Sequence, residues 1–332
     1  MKICVVGAGI VGLSSALRIQ EACPKADVNL ISEKFSPNTT SDVSGGFWGP
    51  HLVDVEKQPA IRTWARETFD YMVTLARSSD AGQTGAQLIS GYSMPKEDPW
   101  FKDIIFGYRD MTEEELRLFP EAKNGEFFTS VMLDVRSYLP WLLTRFRAIG
   151  GTIIKRKVNS WMELADEYDI VVNCCGVYAR DLSNDESLQP VRGQLLRVHA
   201  PWIKHFVLCE HPQGSSYILP SAFDVVLGGT HEQNDWNENV DEEVRETIRS
   251  GCTKLVPSLQ GIKSFSDWVG LRPFRPTVRL ELETLKTPRK NMLIVHNYGH
   301  GGSGVTLHWG CAKEAARLVA KAIQAQITTT NL

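Results

Sequence analysis

Short apolar runs and helical patterns alternate at the start of the chain. Residues 3–6 (ICVV) form an apolar run typical of a strand that is covered on both faces. The pattern over residues 10–22 predicts a helix, and residues 27–32 (DVNLIS) predict a second strand. This order of strand, helix and strand predicts a parallel α/β unit.

Further along, two apolar strands over 150–158 and 169–179 are predicted to return to the first sheet. A helix over 137–147 precedes them, with Ser137 as its N-cap and Pro140 in its first turn. Other helices are predicted over 60–76, 241–255 and 307–324, and loops over 36–46 and 78–86.

Segments that alternate, or that glycine and proline interrupt, predict an antiparallel sheet. They are 193–199, 216–220, 224–230 and 268–276, together with short runs in 87–135 around a helix capped by Thr112. The chain is therefore predicted to be an α/β protein. A discontinuous Rossmann-type dinucleotide-binding domain (1–50, 137–190 and 285–332) would carry an inserted, mostly antiparallel β substrate-binding domain (51–136 and 191–284).

The turn after the first strand has the spacing G-x-G-x-x-G, at Gly7, Gly9 and Gly12. These glycines allow a tight turn, close approach to a pyrophosphate, and packing of helix on strand. Glu33 ends the second strand, roughly 20 residues on, where a ribose-binding acid is expected. The motif predicts a dinucleotide site, and by itself it leaves FAD and NAD open.

The composition excludes several classes of function. The 332 residues carry 36 Lys and Arg against 39 Asp and Glu, so there is no basic field for nucleic acid. No stretch approaches the roughly 18 apolar residues of a membrane span, and the immediate first strand leaves no room for a signal peptide. Seven cysteines without a C-x-x-C pair favour reduced thiols over disulfides or a metal site. We expect a soluble intracellular protein without nucleic-acid or membrane partners.

A second glycine-rich loop, HNYGHGGSG (296–304), is followed by WGCA. It resembles the signature of the FAD-dependent D-amino-acid oxidase and D-aspartate oxidase family. The resemblance extends over nearly the whole chain, through the N-terminal glycine motif, TTSDV (39–43), NCCGVYA (173–179), RGQLLRV (192–198) and GLRPFRP (270–276). It implies hydride transfer from the substrate α-carbon to flavin N5. The imino acid would hydrolyse to a 2-oxo acid and ammonia, and oxygen would be reduced to hydrogen peroxide.

The resemblance assigns FAD to both glycine turns and to the loop between them. The residues expected to contact FAD are Gly7, Ala8, Gly9, Ile10, Val11, Gly12, Glu33, Lys34, Thr39, Thr40, Ser41, Gly45, Gly46, Val158, Cys175, Gly301, Gly302, Ser303, Gly304, Val305 and Thr306. On their residues alone, 36–46 equally suits a solvated turn. The helix N-terminus after Gly304 would stabilise negative charge on reduced flavin.

Arg272 matches the family arginine that holds the substrate α-carboxylate in a bidentate fork. Tyr217 matches the tyrosine whose hydroxyl assists that carboxylate. Without the family, a surface ion pair is the alternative for Arg272, and a tyrosine on an apolar strand is more often a core residue with a hydrogen-bonded hydroxyl. The implied mechanism needs no acid–base side chain, so His300 and His308 are expected to have hydrogen-bonded structural roles.

The expected substrate depends on positions where this chain differs from one or the other branch of the family. Neutral-substrate oxidases carry a second lid tyrosine, here replaced at Pro212 or Gln213. The motif at Pro50 and His51 resembles the D-aspartate branch, although Leu208 and His231 stand where that branch usually has arginines. His51, His231 or a main-chain donor of Gly302 and Ser303 would then meet the second carboxylate. We expect D-aspartate and D-glutamate oxidation.

The alternative substrates are neutral D-amino acids. An NAD-dependent dehydrogenase and a non-catalytic flavoprotein are disfavoured by the second glycine loop and by the pair of Arg272 and Tyr217. The partners expected are a D-amino acid and molecular oxygen. The final residues, Thr330, Asn331 and Leu332, resemble loose variants of the peroxisomal tripeptide, so we expect an import receptor and a peroxisomal location, with the cytoplasm as the alternative.

Overall fold

The computed structural model describes residues 1–95, 97–211, 214–287 and 291–330. Its helices are α1 (Ile10–Ala22), α2 (Thr40–Val43), α3 (Ala60–Ala76), α4 (Ala81–Thr84), α5 (Glu113–Leu116), α6 (Val135–Ala148), α7 (Ala179–Leu182), α8 (Glu242–Leu255) and α9 (Gly304–Thr330). Its strands are β1 (Lys2–Val6), β2 (Asp27–Ser32), β3 (Gln87–Met94), β4 (Phe106–Asp110), β5 (Glu126–Met132), β6 (Thr152–Lys155), β7 (Ile170–Asn173), β8 (Gln189–Val198), β9 (Phe206–His211), β10 (Gly214–Pro220), β11 (Val225–Gly228), β12 (Glu232–Gln233), β13 (Phe265–Lys286) and β14 (Asn291–His300). Within these ranges, no helix has both the length and the hydrophobicity needed to cross a bilayer.

The parallel part of the sheet has the strand order β14, β7, β1, β2 and β6. Its central strand β1 is buried from Ile3 to Val6, as an apolar run covered on both faces should be. Helix α1 packs against α9 and α6, and its buried face belongs to the same hydrophobic core as β1. The predicted Rossmann-type unit is confirmed.

The other part of the sheet is mostly antiparallel, with the order β4, β5, β3, β9, β10, β11, β8 and β13. Strands β3 and β9 pair in parallel, whereas the other neighbours in this order are antiparallel. This arrangement confirms the predicted α/β fold with an antiparallel layer. The boundaries assigned to two domains stay a prediction.

Strand β13 connects the two parts of the sheet. Residues 265–274 pair with β8, and residues 279–286 pair with β14. The strand predicted over 268–276 is longer than expected, because it continues to Lys286. Pro276 falls where the register with β14 is interrupted, so its missing N–H removes no ladder hydrogen bond there.

Helix α6 also begins earlier than predicted. Asp134 is its N-cap, and the carboxylate of Asp134 accepts a hydrogen bond from the backbone N–H of Ser137 at 3.1 Å. Ser137 therefore lies inside the first turn, and Pro140 lies beyond it. An aspartate at this position caps as well as a serine, and its carboxylate also favours the positive end of the helix.

Two other segments differ from their predicted bounds. The supposed loop 36–46 contains α2, where the Asp42 carboxylate accepts hydrogen bonds from the backbone N–H and the hydroxyl of Thr39. Helix α9 begins at Gly304 rather than at residue 307. The last glycine of the second glycine loop is therefore the first residue of α9. The N–H groups of the first helical turn have no intrahelical partners.

Candidate functional site

The described residues line one large cavity, of about 2020 Å³, that extends from the β1–α1 turn to β10 and β13. Sites for a single small ligand are typically about 300–1,000 Å³. This cavity therefore has room for a dinucleotide and a small substrate together.

At one end of the cavity, the β1–α1 turn requires glycine at positions 7 and 12, because neighbouring backbone atoms leave no room for a side chain. A Cβ on Gly7, whose φ is +108°, would lie 2.3 Å from the carbonyl oxygen of Cys174. A Cβ on Gly12 would lie 1.8 Å from the carbonyl oxygen of Gly7. Gly9 faces Ser41, whose hydroxyl accepts a hydrogen bond from the Ile10 N–H at 3.0 Å. The β1–α1 turn and the 39–41 segment are thus joined around the place expected for a pyrophosphate.

Most residues predicted to contact FAD line this cavity. They are Gly7, Ala8, Gly9, Ile10, Val11, Glu33, Lys34, Thr39, Thr40, Ser41, Gly45, Gly46, Val158, Cys175, Gly301, Gly302, Gly304 and Val305. Glu33 is exposed at the end of β2, so its carboxylate is open to a ribose. The predicted residues Gly12, Ser303 and Thr306 do not line the cavity.

Ser303 and Thr306 instead attach the segment 49–51 to the start of α9. The Ser303 hydroxyl donates to the carbonyl oxygen of His51 at 2.8 Å and accepts from its N–H at 2.7 Å. The Thr306 hydroxyl bonds the carbonyl and N–H of Gly49 in the same way, at 3.0 and 3.2 Å. These residues therefore position His51, and their own side chains are fully used.

At the other end of the cavity, Arg272 is half-buried on β13. Its Nη1 donates to the carbonyl oxygens of Thr230 and Arg192, at 2.9 and 3.3 Å. Nearby arginines have carboxylate partners, as in the pairs Arg192–Glu232, Arg197–Asp224 and Arg275–Asp185. Across the described ranges, no carboxylate forms an ion pair with Arg272. Its charge is therefore open to an anion in the cavity.

Tyr217 lies beside Arg272, and two glycines make room for its ring. A Cβ on Gly228 would lie 2.0 Å from Cζ of Tyr217, and a Cβ on Gly229 would lie 2.5 Å from the hydroxyl oxygen. Burial raises the pKa of Tyr217, and the charge of Arg272 only partly opposes this. The hydroxyl therefore keeps its proton and can donate a hydrogen bond.

Two histidines form a further part of the site. The rings of His51 and His231 are 4.7 Å apart between centroids and inclined by 52°. Both line the cavity. Desolvation between the cavity walls, followed by the charges of His231 and Arg272, lowers the pKa of His51 to about 3. Desolvation and the charge of Arg272 lower the pKa of His231 to about 4. Both rings are therefore neutral near pH 7.

His308 has the structural role expected for it, because its ring bonds the Val305 carbonyl at 2.7 Å and the Tyr138 hydroxyl at 3.1 Å. His300 differs from expectation. It is buried, it lines the cavity, and its Nε2 has no hydrogen-bond partner among the described residues. Burial lowers its pKa to about 3, so it is neutral.

Sequence reasoning missed part of the cavity wall. Leu195, Leu219 and Trp268 line it and were not predicted. Leu208, which was expected at the site, also lines it and lies directly opposite Tyr217 in the β9–β10 register. The period-two pattern of β13, which places Trp268, Gly270 and Arg272 on one face, was a signal that could have identified Trp268. The lid positions Pro212 and Gln213 lie outside the described residues. Within the described part, no group of three or more His, Cys, Asp or Glu residues could hold a metal ion.

Known proteins with similar sequences are FAD-dependent oxidoreductases or oxidases of D-amino acids. Residues 2–318 match the family model described as FAD dependent oxidoreductase. The human D-aspartate oxidase is 43% identical, over 98% of this chain and 96% of the relative. The D-amino-acid oxidase of Rubrobacter xylanophilus is 40% identical, over 96% of each. The D-aspartate oxidase 1 of Caenorhabditis elegans is 32% identical, over 97% of this chain and 98% of the relative.

Solved structures show the same fold at low sequence identity. The glycine oxidase of Bacillus cereus superimposes with a TM-score of 0.74 at 16% identity, covering 96% of this chain and 95% of that one. The L-proline dehydrogenase of P. horikoshii gives a TM-score of 0.73 at 15% identity, covering 96% and 93%.

Proposed function

Because this chain belongs to the FAD-dependent oxidoreductase family that includes the D-aspartate and D-amino-acid oxidases, we propose that it oxidises acidic D-amino acids, D-aspartate and D-glutamate, with oxygen as the electron acceptor. The products are the 2-oxo acid, ammonia and hydrogen peroxide. The observation that carries this proposal is a cationic Arg272 that pairs with no carboxylate among the described residues, at the opposite end of one cavity from the glycine turn.

The residues of the cavity fit FAD. The space above Gly9 is open except for the Ser41 hydroxyl, which accepts a hydrogen bond from the Ile10 N–H. The cap residue of α1 makes no side-chain hydrogen bond, so the next N–H groups of its first turn can meet a pyrophosphate. Glu33 supplies an acceptor for ribose hydroxyls. The second helix N-terminus, at Gly304, favours negative charge near it. Bound here, FAD would supply the acceptor for the α-hydrogen and its electron pair, and oxygen would be the final acceptor of these electrons.

Arg272 and Tyr217 would orient the substrate through its α-carboxylate. A guanidinium presents two N–H groups to a carboxylate, and the protonated Tyr217 hydroxyl adds a third donor. Because Arg272 on β13 would hold the substrate α-carboxylate, the distance from the substrate α-carbon to the glycine turns would also be set. Positioning of this kind supplies catalysis without a general base.

No charged base is needed beside the α-carbon, and the histidines of the cavity suit this. In the site without substrate, His51, His231 and His300 all have pKa values well below 7, so each of them is a weak base. A substrate with a neutral amine is the reactive form, because the nitrogen lone pair stabilises the developing imino cation. The product imino acid is released to water and hydrolyses there.

The preference for an acidic side chain is supported by two polar rings, His51 and His231, near Arg272, and by the 43% identity to a D-aspartate oxidase. A second candidate function is oxidation of neutral D-amino acids. It is favoured by the apolar wall at Leu208 and Trp268 and by the 40% identity to a D-amino-acid oxidase.

The first experiment is to record the absorption spectrum of the purified protein and then peroxide release with D-Asp, D-Glu, D-Ala and D-Met, with L-Asp as the control. We expect a flavin spectrum and activity with the acidic D-isomers. Activity confined to D-Ala and D-Met would replace the acidic proposal by the neutral one. The expected peroxisomal location rests on residues 330–332, of which Asn331 and Leu332 lie outside the described residues, and it stays a prediction.

A further inference from the structure

The cavity extends beyond the residues that the proposed chemistry uses. Glu126 on β5 pairs with Ser93 on β3, which pairs with Leu208 on β9. Leu208 in turn pairs with Tyr217 on β10. Residues paired directly across neighbouring strands lie on one face of a sheet. Three interstrand spacings of about 4.8 Å place Glu126 about 14 Å along the sheet from Tyr217, in the same cavity.

This far part of the cavity has its own lining, and we call it the outer arm. It is lined by residues 97–101, Glu126, Phe128 and Glu210. Its aromatic wall includes Phe101, whose ring centroid is 6.5 Å from that of Phe128 and 5.7 Å from that of Trp100. The charged residues that line it are all acidic, at Glu97, Asp98, Glu126 and Glu210. The outer arm therefore combines an apolar surface with negative charge.

Glu126 is the buried acid of the outer arm, with only 7% of its surface exposed. Its Oε1 accepts a hydrogen bond from the Tyr108 hydroxyl at 2.6 Å. Its Oε2 is buried and has no hydrogen-bond partner among the described residues. A buried carboxylate oxygen without a donor is costly. This oxygen therefore marks a place for a ligand that donates a hydrogen bond.

The groups around Glu126 are already engaged elsewhere. The Tyr108 oxygen also lies 3.3 Å from Oδ1 of Asp98, but a phenol has one proton, and the shorter contact assigns it to Glu126. The half-exposed Lys102 forms an ion pair with Asp98. Burial raises the pKa of Glu126, and a bound cation would oppose this rise by favouring the charged carboxylate.

We propose that the outer arm binds a primary ammonium group attached to an apolar or aromatic body, with Glu126 as its anionic partner. An ammonium has three N–H donors, so it donates a charge-assisted hydrogen bond to Oε2. The carbon atoms attached to it pack against Phe101 and Phe128, whose ring faces also attract a cation. A metal ion is a poorer fit, since the described residues hold no group of three or more His, Cys, Asp or Glu able to bind one. Binding changes no covalent bond.

This ligand differs from the substrate that Arg272 would hold. A simple amine lacks the carboxylate that pairs with a guanidinium, and the acids of the outer arm would repel an acidic side chain. The inference therefore goes beyond the proposed function and does not depend on which D-amino acid is oxidised.

The test compares 2-phenylethylamine with 2-phenylethanol, in which a hydroxyl replaces the ammonium. At about pH 7.5 the amine is protonated, as a lysine side chain is. Titration calorimetry of the FAD-loaded protein measures both affinities. We expect the amine to bind about tenfold or more tightly than the alcohol, because only the amine is charged. Equal affinities, or no binding of the amine, would overturn the proposal.

Three variants locate the bound amine. Glu126→Gln keeps the shape of the side chain and the acceptor for Tyr108 but removes the charge, so it should weaken amine binding about tenfold or more and leave alcohol binding unchanged. Glu186→Gln, at an exposed acid outside the cavity, is the matched control and should bind both ligands as the native protein does. Arg272→Leu should also retain amine binding. Native amine affinity in Glu126→Gln, or its loss in Arg272→Leu, would overturn the proposal.

Amine binding needs no turnover, so the two hypotheses fail differently. A protein that binds 2-phenylethylamine through Glu126 but releases no peroxide from any D-amino acid would contradict the proposed function alone. A protein that oxidises D-aspartate but binds the amine no better than the alcohol would contradict only the ammonium site.

Discussion

Gly193 makes room for the guanidinium of Arg272. The two residues lie on paired strands β8 and β13, and a Cβ on Gly193 would lie 2.1 Å from Nη1 of Arg272. Because the obstructed atoms are at the end of a flexible side chain, an alanine there would displace the guanidinium and leave the sheet intact.

We therefore expect Gly193→Ala to lower kcat/KM for the D-amino acid about 10- to 100-fold, since a hydrogen bond to a charged group contributes roughly 1.5–3 kcal/mol. The flavin content and the unfolding temperature should change little. Gly261→Ala, where an added Cβ meets nothing within 4 Å, is the matched control. Native kinetics in Gly193→Ala would show that Arg272 does not hold substrate in the observed position.

Removing the guanidinium itself should have a larger effect. Arg272→Leu loses two charged hydrogen bonds to the α-carboxylate, together roughly 3–6 kcal/mol, so we expect kcat/KM to fall at least a hundredfold. Arg272→Lys should recover only part of this, because an ammonium cannot form the fork. Arg77→Leu, at an exposed arginine, is the control. Steady-state peroxide kinetics give the answer, and an unaltered KM in Arg272→Leu would refute the assignment.

Ser303→Ala should affect both stability and substrate choice. The change removes two hydrogen bonds to the His51 backbone from a fully buried serine. We expect the free energy of unfolding in urea to fall by about 1–3 kcal/mol. If the segment at His51 is loosened, KM for D-aspartate should rise more than KM for a neutral D-amino acid. The exposed Ser264→Ala should change neither quantity, and an equal rise in both KM values would separate Ser303 from side-chain recognition.

Asp185 should contribute to acid stability. Burial would raise its pKa, but hydrogen bonds from Ser187, Tyr298 and Arg275 outweigh this and lower it from 3.8 to about 2. A lowered folded-state pKa gives stability that is fully present above about pH 4 and is lost as the pH falls to about 2. The linked free energy is roughly 2 kcal/mol.

Asp185→Asn tests this contribution through urea unfolding at several pH values. The difference in free energy of unfolding between the native protein and Asp185→Asn should be largest above about pH 4 and should decrease toward pH 2. The exposed Asp70→Asn serves as the control. A difference that stays constant from pH 4 to pH 2 would show that the carboxylate charge of Asp185 is not what stabilises the fold.

The sequence predicted the structure best where a short segment permits only one conformation. The glycines at 7 and 12 have no alternative, since a Cβ at either position would collide with backbone, and the apolar run of β1 permits only a buried strand. The N-terminus of α1 followed from this turn. For the same reason, most of the predicted FAD contacts line the cavity.

Features that depend on distant segments could not be predicted. The family resemblance placed both His51 and His231 in the substrate site, but no local pattern shows that their rings meet. The contacts of Thr230 with Arg272 and of His51 with Ser303 hold their two segments in place. The Ser303 and Thr306 side chains were assigned to ligand contacts because no pattern shows that they bond the segment at 49–51. Asp134 displaced Ser137 as the cap of α6 because both residue types satisfy the same local rule.

The continuity of β13 bears on how substrate preference can diverge among relatives. Arg272 lies on the half paired with β8, and the half paired with β14 belongs to the parallel sheet that ends at the glycine turns. One strand thus sets the spacing between Arg272 and the glycine turns when the chain folds, before any ligand binds. Changes at loop positions such as His51 and His231 can then exchange one side chain for another during evolution without displacing the reacting carbon. A single scaffold can in this way accumulate new specificities while its chemistry remains constant.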